Sequence, residues 1–237
     1  MTKPRYPVHL DLEGRKVLVV GAGRVATRKI LRLAEAGAAL SVVALHASAP
    51  VRKLAHQARL TYAEREARHD DVTGSFMVIA ATDDPAVNAR VATWARRENA
   101  LVSRVDAPDE SDFTVPALVQ GQHVEATVST YGDAPSASRR LKRELETWVA
   151  EGPERFAREV AAVRRALHGH PAATARLREL NDSGLFEACR AGDEARIRTL
   201  VDAALRDVSQ AALHAGEDKI APASQGLTHS PSVGERR

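Results

Sequence analysis

Two glycines follow a short apolar stretch near the start of the chain, and their spacing is typical of a turn that binds phosphate. Residues 16–26 read KVLVVGAGRVA, in which an apolar strand leads into the turn. Gly21 can make the tight turn, Gly23 has no side chain to keep a phosphate away, and Ala26 is small enough for the next helix to pack on the strand. N–H groups at the start of that helix attract anions. The pattern predicts a dinucleotide site with the pyrophosphate at the turn.

The sequence after the turn supplies the elements that such a site requires. Residues 24–36 are predicted to form an amphipathic helix that ends at Gly37. The stretch LSVVAL at residues 40–45 is predicted to be a buried strand, which completes a β-α-β unit. The first helical residues, Arg24 and Val25, are therefore expected to contact the cofactor. A turn of the same shape that binds no ligand is the alternative.

The end of the second strand bears on which dinucleotide binds. The acidic residue that usually contacts the ribose hydroxyls, about 20 residues after the glycines, is missing. Leu45 and His46 stand at this strand end and are expected to flank the adenosine through backbone contacts. No arginine stands there to hold a 2′-phosphate, so NAD is favoured over NADP.

Further strands alternate with helices up to about residue 105. A short helix is predicted at 49–58, a strand at 60–62, an apolar strand at 75–81, a helix at 86–98 and a strand at 100–105. This order predicts an α/β fold with a Rossmann-like parallel sheet, whose ligands bind at the carboxyl ends of the strands. Gly21, Thr82 and Asp106 are all expected on that rim.

The alternation ends after residue 110. Residues 113–119 and 123–129 are predicted to form a β-hairpin, and residues 135–150 a basic helix. Helices are then predicted at 153–168, 172–180 and 193–208, with Gly192 and Asp193 as a C-cap followed by an N-cap. The predicted organisation is a NAD-binding domain at 1–110, a hairpin and basic helix for substrate binding and dimerisation at 111–150, a helical region at 151–214 and a disordered tail at 215–237.

Composition restricts the class of protein further. The 237 residues are 44% hydrophobic, which is enough for a folded core. One cysteine, Cys189, allows neither a disulfide framework nor a cysteine metal cluster; it is expected in the core, and we expect a reducing, cytoplasmic setting and no bound metal. No stretch is apolar enough to span a membrane. The 34 basic and 31 acidic residues leave a net charge of +3, which does not indicate a nucleic-acid-binding protein.

Several segments together resemble the precorrin-2 dehydrogenase and sirohydrochlorin ferrochelatase family, which includes the N-terminal module of siroheme synthase. The resemblance covers about residues 6–148. It rests on the segments YPVHLDLEGR at 6–15, VATRK at 25–29, IAATDDPAVN at 79–88, VD at 105–106, DFTVPA at 112–117 and the turn at 129–135. It implies NAD-dependent oxidation of precorrin-2 to sirohydrochlorin. Some members of the family also insert ferrous iron, which would then be a second substrate.

The resemblance also implies roles for individual residues. Asp106 matches the catalytic carboxylate, which takes up a proton as hydride leaves the substrate; a strand-end turn or an N-cap is its structural alternative. Thr82 and Asp83 are expected either to approach the cofactor or to cap the following helix. The residues expected to contact the substrate are Ser103, Thr130, Arg139 and Arg140.

The basic pair and the departures from the family pattern leave alternatives open. Precorrin-2 carries many carboxylates, which Arg139 and Arg140 could bind, although a solvated helix face is the alternative. Ser103 stands where the family usually has asparagine, Arg104 replaces an apolar residue, and Tyr131 occupies a glycine position. A homodimer is expected from the family. A regulatory NAD(H) sensor without catalysis is the alternative function.

Overall fold

The computed structural model describes residues 5–206. The contacts divide them into two compact units, which we call the sheet unit and the helical unit. The sheet unit contains residues 5–117 and 128–139, and the helical unit contains residues 118–127 and 140–206. The predicted tail at 215–237 and the end of the last predicted helix lie outside the described residues.

A five-stranded parallel sheet forms the centre of the sheet unit, as predicted. Its strands are β1 (Lys16–Val20), β2 (Ala39–Ala44), β3 (Thr61–Glu64), β4 (Met77–Ala80) and β5 (Leu101–Arg104). They lie in the order β3-β2-β1-β4-β5, and every neighbouring pair is parallel. Val20 is in register with Val43 and with Ala80, so the strands end along one common edge.

Three helices cover the two faces of this sheet, α1 (Arg24–Glu35), α2 (Ala49–His56) and α3 (Pro85–Arg97). Val17 and Val19 belong to one buried cluster, and Leu18 and Val20 belong to another, because successive side chains of a strand point to opposite faces. Both faces are therefore buried, which explains why the strands are apolar without alternation.

The predicted hairpin is confirmed, with shorter strands than expected. It consists of β6 (Ala117–Gln120) and β7 (Glu125–Val128), and helix α4 (Pro135–Ala150) follows it with the predicted bounds. The Glu154 carboxylate accepts hydrogen bonds from the backbone N–H groups of residues 122, 123 and 124 in the connecting turn. This carboxylate fixes the turn to the start of the helix after α4, which begins at Pro153.

The helical unit continues with α5 (Pro153–Ala166), α6 (Ala173–Asp182), α7 (Leu185–Ala191) and α8 (Glu194–Ala204). Helix α7 lies in the region at 151–214 that was predicted to be helical, but its bounds were not predicted. Gly192 ends α7 in the left-handed conformation, and the Asp193 carboxylate accepts from the N–H of Arg196, so the predicted pair of caps is confirmed. Cys189 is buried in the core of this unit as predicted, and burial raises the pKa of its thiol. Within residues 5–206, no helix is long and apolar enough to cross a bilayer.

Candidate active site

Backbone hydrogen bonds continue just past the strand ends and fix the predicted rim. The N–H of Gly21 donates to the carbonyl of Val43 at 2.8 Å, and the N–H of Ala81 donates to the carbonyl of Val20 at 2.8 Å. The N–H of Val105 donates to the carbonyl of Ala80 at 3.0 Å. The residues that follow, including Thr82 and Asp106, therefore leave the sheet at the same edge as the glycines.

The glycine turn, residues 21–25, contains two glycines whose surroundings differ. Gly21 has a φ of +105°, and a Cβ there would lie 2.3 Å from the carbonyl oxygen of Ala81. A side chain at Gly21 would thus collide with the neighbouring strand. At Gly23, by contrast, a Cβ would meet no atom within 4 Å. The space over Gly23 is open on the side from which a ligand would approach.

The start of α1 fits an anionic ligand. Gly23 is the N-cap of the helix, no side chain caps it, and the first turn contains no acidic residue. Its N–H groups and the positive end of the helix dipole are thus offered to an incoming anion. Behind the turn, the Thr27 hydroxyl lies 2.8 Å from the Ser48 hydroxyl and 2.9 Å from the carbonyl oxygen of Gly23. The residues present therefore fit the pyrophosphate of a dinucleotide.

The other predicted cofactor residues of the first two strands lie at the surface. Arg24 is exposed, and Val25 and Leu45 have exposed fractions of 40% and 57%. Exposed apolar side chains at a ligand edge can pack on a nucleoside. His46 Nδ1 lies 3.7 Å from an oxygen of Glu64, which is in register with Ala44. The adjacent strand β3 thus ends in a carboxylate where the end of β2 has none.

The segment after β4 is held by a buried amide. Asn88 on α3 is fully buried, and its Oδ1 accepts from the N–H of Thr82 at 3.0 Å and from the Thr82 hydroxyl at 2.8 Å. Its Nδ2 donates to the carbonyl of Thr82 at 3.0 Å. The helix cap is Asp84, whose carboxylate accepts from the N–H groups of Ala86 and Val87. Asp83 is exposed. Neither Thr82 nor Asp83 caps α3, which removes the capping alternative and leaves their approach to the cofactor a prediction.

Asp106 lies in a carboxylate cluster formed by Asn88, Arg104, Asp106 and Glu110. Asn88 Nδ2 donates to Asp106 Oδ1 at 2.9 Å, and a terminal nitrogen of Arg104 donates to Asp106 Oδ2 at 2.6 Å. The other terminal nitrogen of Arg104 donates to Glu110 at 2.6 Å. Burial raises the pKa of Asp106, but the hydrogen bonds from Arg104, from its own backbone N–H and from Asn88, together with the charge of Arg104, bring that pKa below its ordinary value. Asp106 is an ionised carboxylate in the bend after β5, and it is not the N-cap of the short helical turn that follows. Its catalytic role stays a prediction.

The residues predicted to bind substrate are dispersed. Ser103 is in register with Ile79 inside the sheet and is only 4% exposed, which makes it the least accessible of the four. The Thr130 hydroxyl lies 2.7 Å from that of Ser138. Arg139 is exposed, and Arg140 forms an ion pair with Glu144 on the same helix. Among residues 5–206, neither Thr130 nor Arg139 hydrogen-bonds to the carboxylate cluster, so their contact with substrate remains a prediction.

The arrangement combines an anion-binding helix start with an ionised carboxylate on one rim. Such a rim can hold a dinucleotide and accept a proton from a second molecule. Sequence reasoning gave no role to Asn88 or Glu64, and it treated Arg104 only as a departure. Asn88 was part of the matched segment 79–88, and an arginine within an apolar strand was a signal that its charge has a partner. Glu64 gave no local signal, because only the parallel pairing brings it beside His46.

Comparisons with known proteins agree with this geometry. A family model described as "Putative NAD(P)-binding" matches residues 8–117. A siroheme synthase from Azotobacter vinelandii is 34% identical over 224 residues, which is 93% of this chain and 48% of that protein. A siroheme synthase from Methylococcus capsulatus is 41% identical over 150 residues, which is 63% of this chain and 31% of that protein. The chain thus spans less than half the length of these relatives.

A solved structure has a similar fold over most of the chain. It is that of SirC, a precorrin-2 dehydrogenase, with a TM-score of 0.72 and 26% sequence identity. The similarity covers 87% of this chain and all of that structure. The match therefore includes the hairpin and helices as well as the sheet unit.

Proposed function

We propose that this chain, which belongs to the family of precorrin-2 dehydrogenases and siroheme synthase N-terminal modules, oxidises precorrin-2 to sirohydrochlorin with NAD. The observation that carries the proposal is the ionised Asp106 on the same sheet edge as the uncapped start of α1. One position can hold the cofactor's phosphates, and the other can accept a proton.

The glycine turn and the N–H groups of α1 would hold the pyrophosphate, and Leu45 and His46 would flank the adenosine. Thr82 and Asp83 would approach the cofactor from the end of β4, where Asn88 fixes the Thr82 backbone. When bound, NAD supplies a hydride acceptor for the oxidation.

Asp106 would act as the general base. Oxidation of precorrin-2 to sirohydrochlorin removes two hydrogens, one as hydride and one as a proton. An ionised carboxylate can take the proton as the new double bond forms, and Asn88 and Arg104 keep its two oxygens in a fixed orientation. Each oxygen retains a lone-pair site beyond these bonds, which a substrate can reach.

Basic side chains on α4 would recognise the carboxylates of the substrate. Arg139 and Arg140 are both exposed, and a guanidinium binds a carboxylate with two parallel hydrogen bonds. The Glu144 partner of Arg140 is itself exposed, so this ion pair can exchange for a substrate carboxylate at small cost. Thr130 and Ser103 complete the proposed substrate contacts.

Ferrous iron is the proposed second substrate. Its insertion into sirohydrochlorin releases protons from pyrrole nitrogens, and Asp106 could accept them as it does in the oxidation. Among residues 5–206, no cluster of three metal-ligating side chains is present. Chelation therefore depends on the same carboxylate.

A second copy of the chain is the proposed partner, in the cytoplasm. Leu141 and Trp148 on α4 have exposed fractions of 48% and 43%, and Val149 is the buried residue of that helix. Leu141, Leu145 and Trp148 follow the spacing of one helix face, which would be covered in a dimer. Sedimentation of the full chain should give a dimer, and a Trp148→Glu variant should shift it toward monomer.

The decisive experiment mixes the purified protein with precorrin-2 and NAD in the absence of oxygen and follows the formation of NADH by its absorbance. We expect NADH and sirohydrochlorin from the unsubstituted protein. An Asp106→Asn variant should bind NAD normally and lose roughly a hundredfold or more in kcat. NAD binding without any NADH would support the regulatory sensor instead.

Addition of ferrous iron to the same reaction tests chelation. Siroheme should form faster than in a protein-free control, and Asp106→Asn should lower that rate as well. NADH formation with siroheme only at the protein-free rate would restrict the activity to dehydrogenation.

A further inference from the structure

Arg104 is the most deeply buried charged side chain described at the rim. Its side chain is 8% exposed, and its guanidinium lies between the carboxylates of Asp106 and Glu110, at 2.6 Å from each. Glu110 is 62% exposed on its outer side, whereas Asp106 is 22% exposed. The arginine thus reaches from the solvent-exposed Glu110 to the candidate base.

The backbone on both sides of the guanidinium is held in place. The N–H of Arg104 donates to the Ser111 hydroxyl at 2.8 Å, and that hydroxyl bonds back to the Arg104 carbonyl at 3.2 Å. Arg5 donates to the carbonyls of residues 108 and 111, and Arg96 donates to the Glu110 carbonyl. The segment that carries Glu110 is therefore anchored to two other parts of the sheet unit.

A buried guanidinium at this position is unfavourable for stability alone. Removing a charge from water costs several kcal/mol. When apolar residues of similar volume replace a buried ion pair, the folded state is often equally stable or more stable by roughly 1–4 kcal/mol. The Nε of Arg104 is also buried without a hydrogen-bond partner within the described part of the chain. The contacts that do satisfy this guanidinium are the carboxylates of Asp106 and Glu110, so its charge acts directly on the candidate base.

We propose that Arg104 is a positioning residue for the oxidation: clamped by Glu110, it fixes the direction of Asp106 Oδ2. This inference rests on the proposed function, because it assigns Asp106 the role of base. The charged group that contacts Asp106 is Arg104 on β5, and Glu110 contacts Arg104 in turn. Arg96 on α3 and Arg5 from the N-terminal segment contact the backbone of the segment that carries Glu110, and the Asp112 carboxylate accepts from the N–H of Val102. Asn88 on α3 is the uncharged contact on Oδ1.

The test compares an apolar, a conservative and an indirect variant with a matched control. Arg104→Met removes the charge and keeps the volume, Arg104→Lys restores a charge, and Glu110→Gln loosens the clamp. Arg65→Met is the control, because Arg65 forms an ion pair with Asp71 at the same distance of 2.6 Å, on the β3–β4 connection. The rates of NADH formation are measured across pH, with kcat and KM separated.

In Arg104→Met we expect kcat to fall roughly ten- to a hundredfold, since a misdirected catalytic group loses rates of that order, while the KM for NAD stays unchanged. The acidic limb of the pH profile should move to higher pH, because Asp106 then ionises less readily. Arg104→Lys should recover part of both effects, Glu110→Gln should show a smaller change in the same direction, and Arg65→Met should match the unsubstituted protein.

A second measurement follows the titration of Asp106 without turnover, through the NMR shift of its carboxyl carbon. Its midpoint should rise in Arg104→Met. If Arg104→Met does not fold, Arg104→Lys and Glu110→Gln carry the same comparison. An unchanged pH profile and an unchanged Asp106 midpoint in an active protein would overturn the role of Arg104 alone. Failure of the unsubstituted protein to form NADH would overturn the proposed function and the catalytic role with it.

Discussion

The glycine turn and the carboxylate cluster occupy the same edge of one sheet, yet they are built in opposite ways. At the turn, the start of α1 has no capping side chain, and the space over Gly23 is open. In the cluster, both oxygens of Asp106 accept hydrogen bonds, and the arginine that donates one of them is itself held by Glu110.

One rim can serve both binding and chemistry because its two regions are satisfied in different ways. A ligand supplies the missing partners at an open helix start, so unsatisfied groups there are useful. A reacting side chain must already have its direction and its charge before the substrate arrives, so its partners come from the protein.

Replacement of Gly21 by alanine should have the largest effect, on stability. The new methyl group would meet the Ala81 carbonyl at 2.3 Å in a left-handed backbone conformation. We expect a loss of about 3 kcal/mol in the free energy of unfolding, the upper part of the range for such strain. Urea unfolding followed by circular dichroism measures it, and an unchanged midpoint would contradict the observed contact.

Replacement of Asn88 by alanine should come next, and should affect both stability and rate. It removes the hydrogen bonds of the Asn88 amide to Thr82 and Asp106, and it leaves the part-buried N–H and carbonyl of Thr82 without these partners. We expect a loss of about 2 kcal/mol in unfolding free energy and a lower kcat. Asn181→Ala, at an exposed position on α6, is the control. Equal stability of both variants would show that the Asn88 bonds are dispensable.

Replacement of Gly23 by alanine should separate binding from folding. No atom lies within 4 Å of the added methyl group, so the unfolding free energy should change by less than about 1 kcal/mol. The methyl group would occupy space that a phosphate needs, and NAD affinity should fall about tenfold, which corresponds to roughly 1.4 kcal/mol. Calorimetric titration with NAD measures it; affinity equal to that of the unsubstituted protein would place the pyrophosphate elsewhere.

Replacement of Arg139 by alanine should have the smallest effect. The side chain is exposed, so folding should not change, while the KM for precorrin-2 should rise about fivefold, in line with one exposed charge pair of about 1 kcal/mol. Arg178→Ala, on α6, is the matched surface control. Identical KM values in the two variants would favour the solvated helix face.

The sequence predicted the sheet because its strands are apolar over their whole length and are separated by amphipathic helices. The distribution of apolar residues and their spacing therefore both predicted β1, α1 and β2, and the glycine turn lay between β1 and α1. Helix α4 was predicted with its observed bounds, since Pro135 marks its start. The bounds of the seven-residue helix α7 were not predicted within its helical region, because so short a segment shows too little of a helical period.

The carboxylate cluster could be predicted only in part. The position of Asp106 followed from its place after a strand and from the resemblance, but the other three members of the cluster come from three places in the sequence. Asn88 lies 18 residues away and Glu110 lies beyond a turn, so their contacts depend on the packing of α3 and on the path of the chain after β5. No local pattern encodes such distances.

The buried amide of Asn88 also provides a way to measure how often the rim opens. Its amide nitrogen gives its two hydrogens to the Thr82 carbonyl and to Asp106, and its side chain is fully buried. Those two hydrogens can exchange with deuterium in the solvent only when the ends of β4 and β5 part from α3. Their exchange rate would therefore time the spontaneous opening of the edge where cofactor and substrate are proposed to meet.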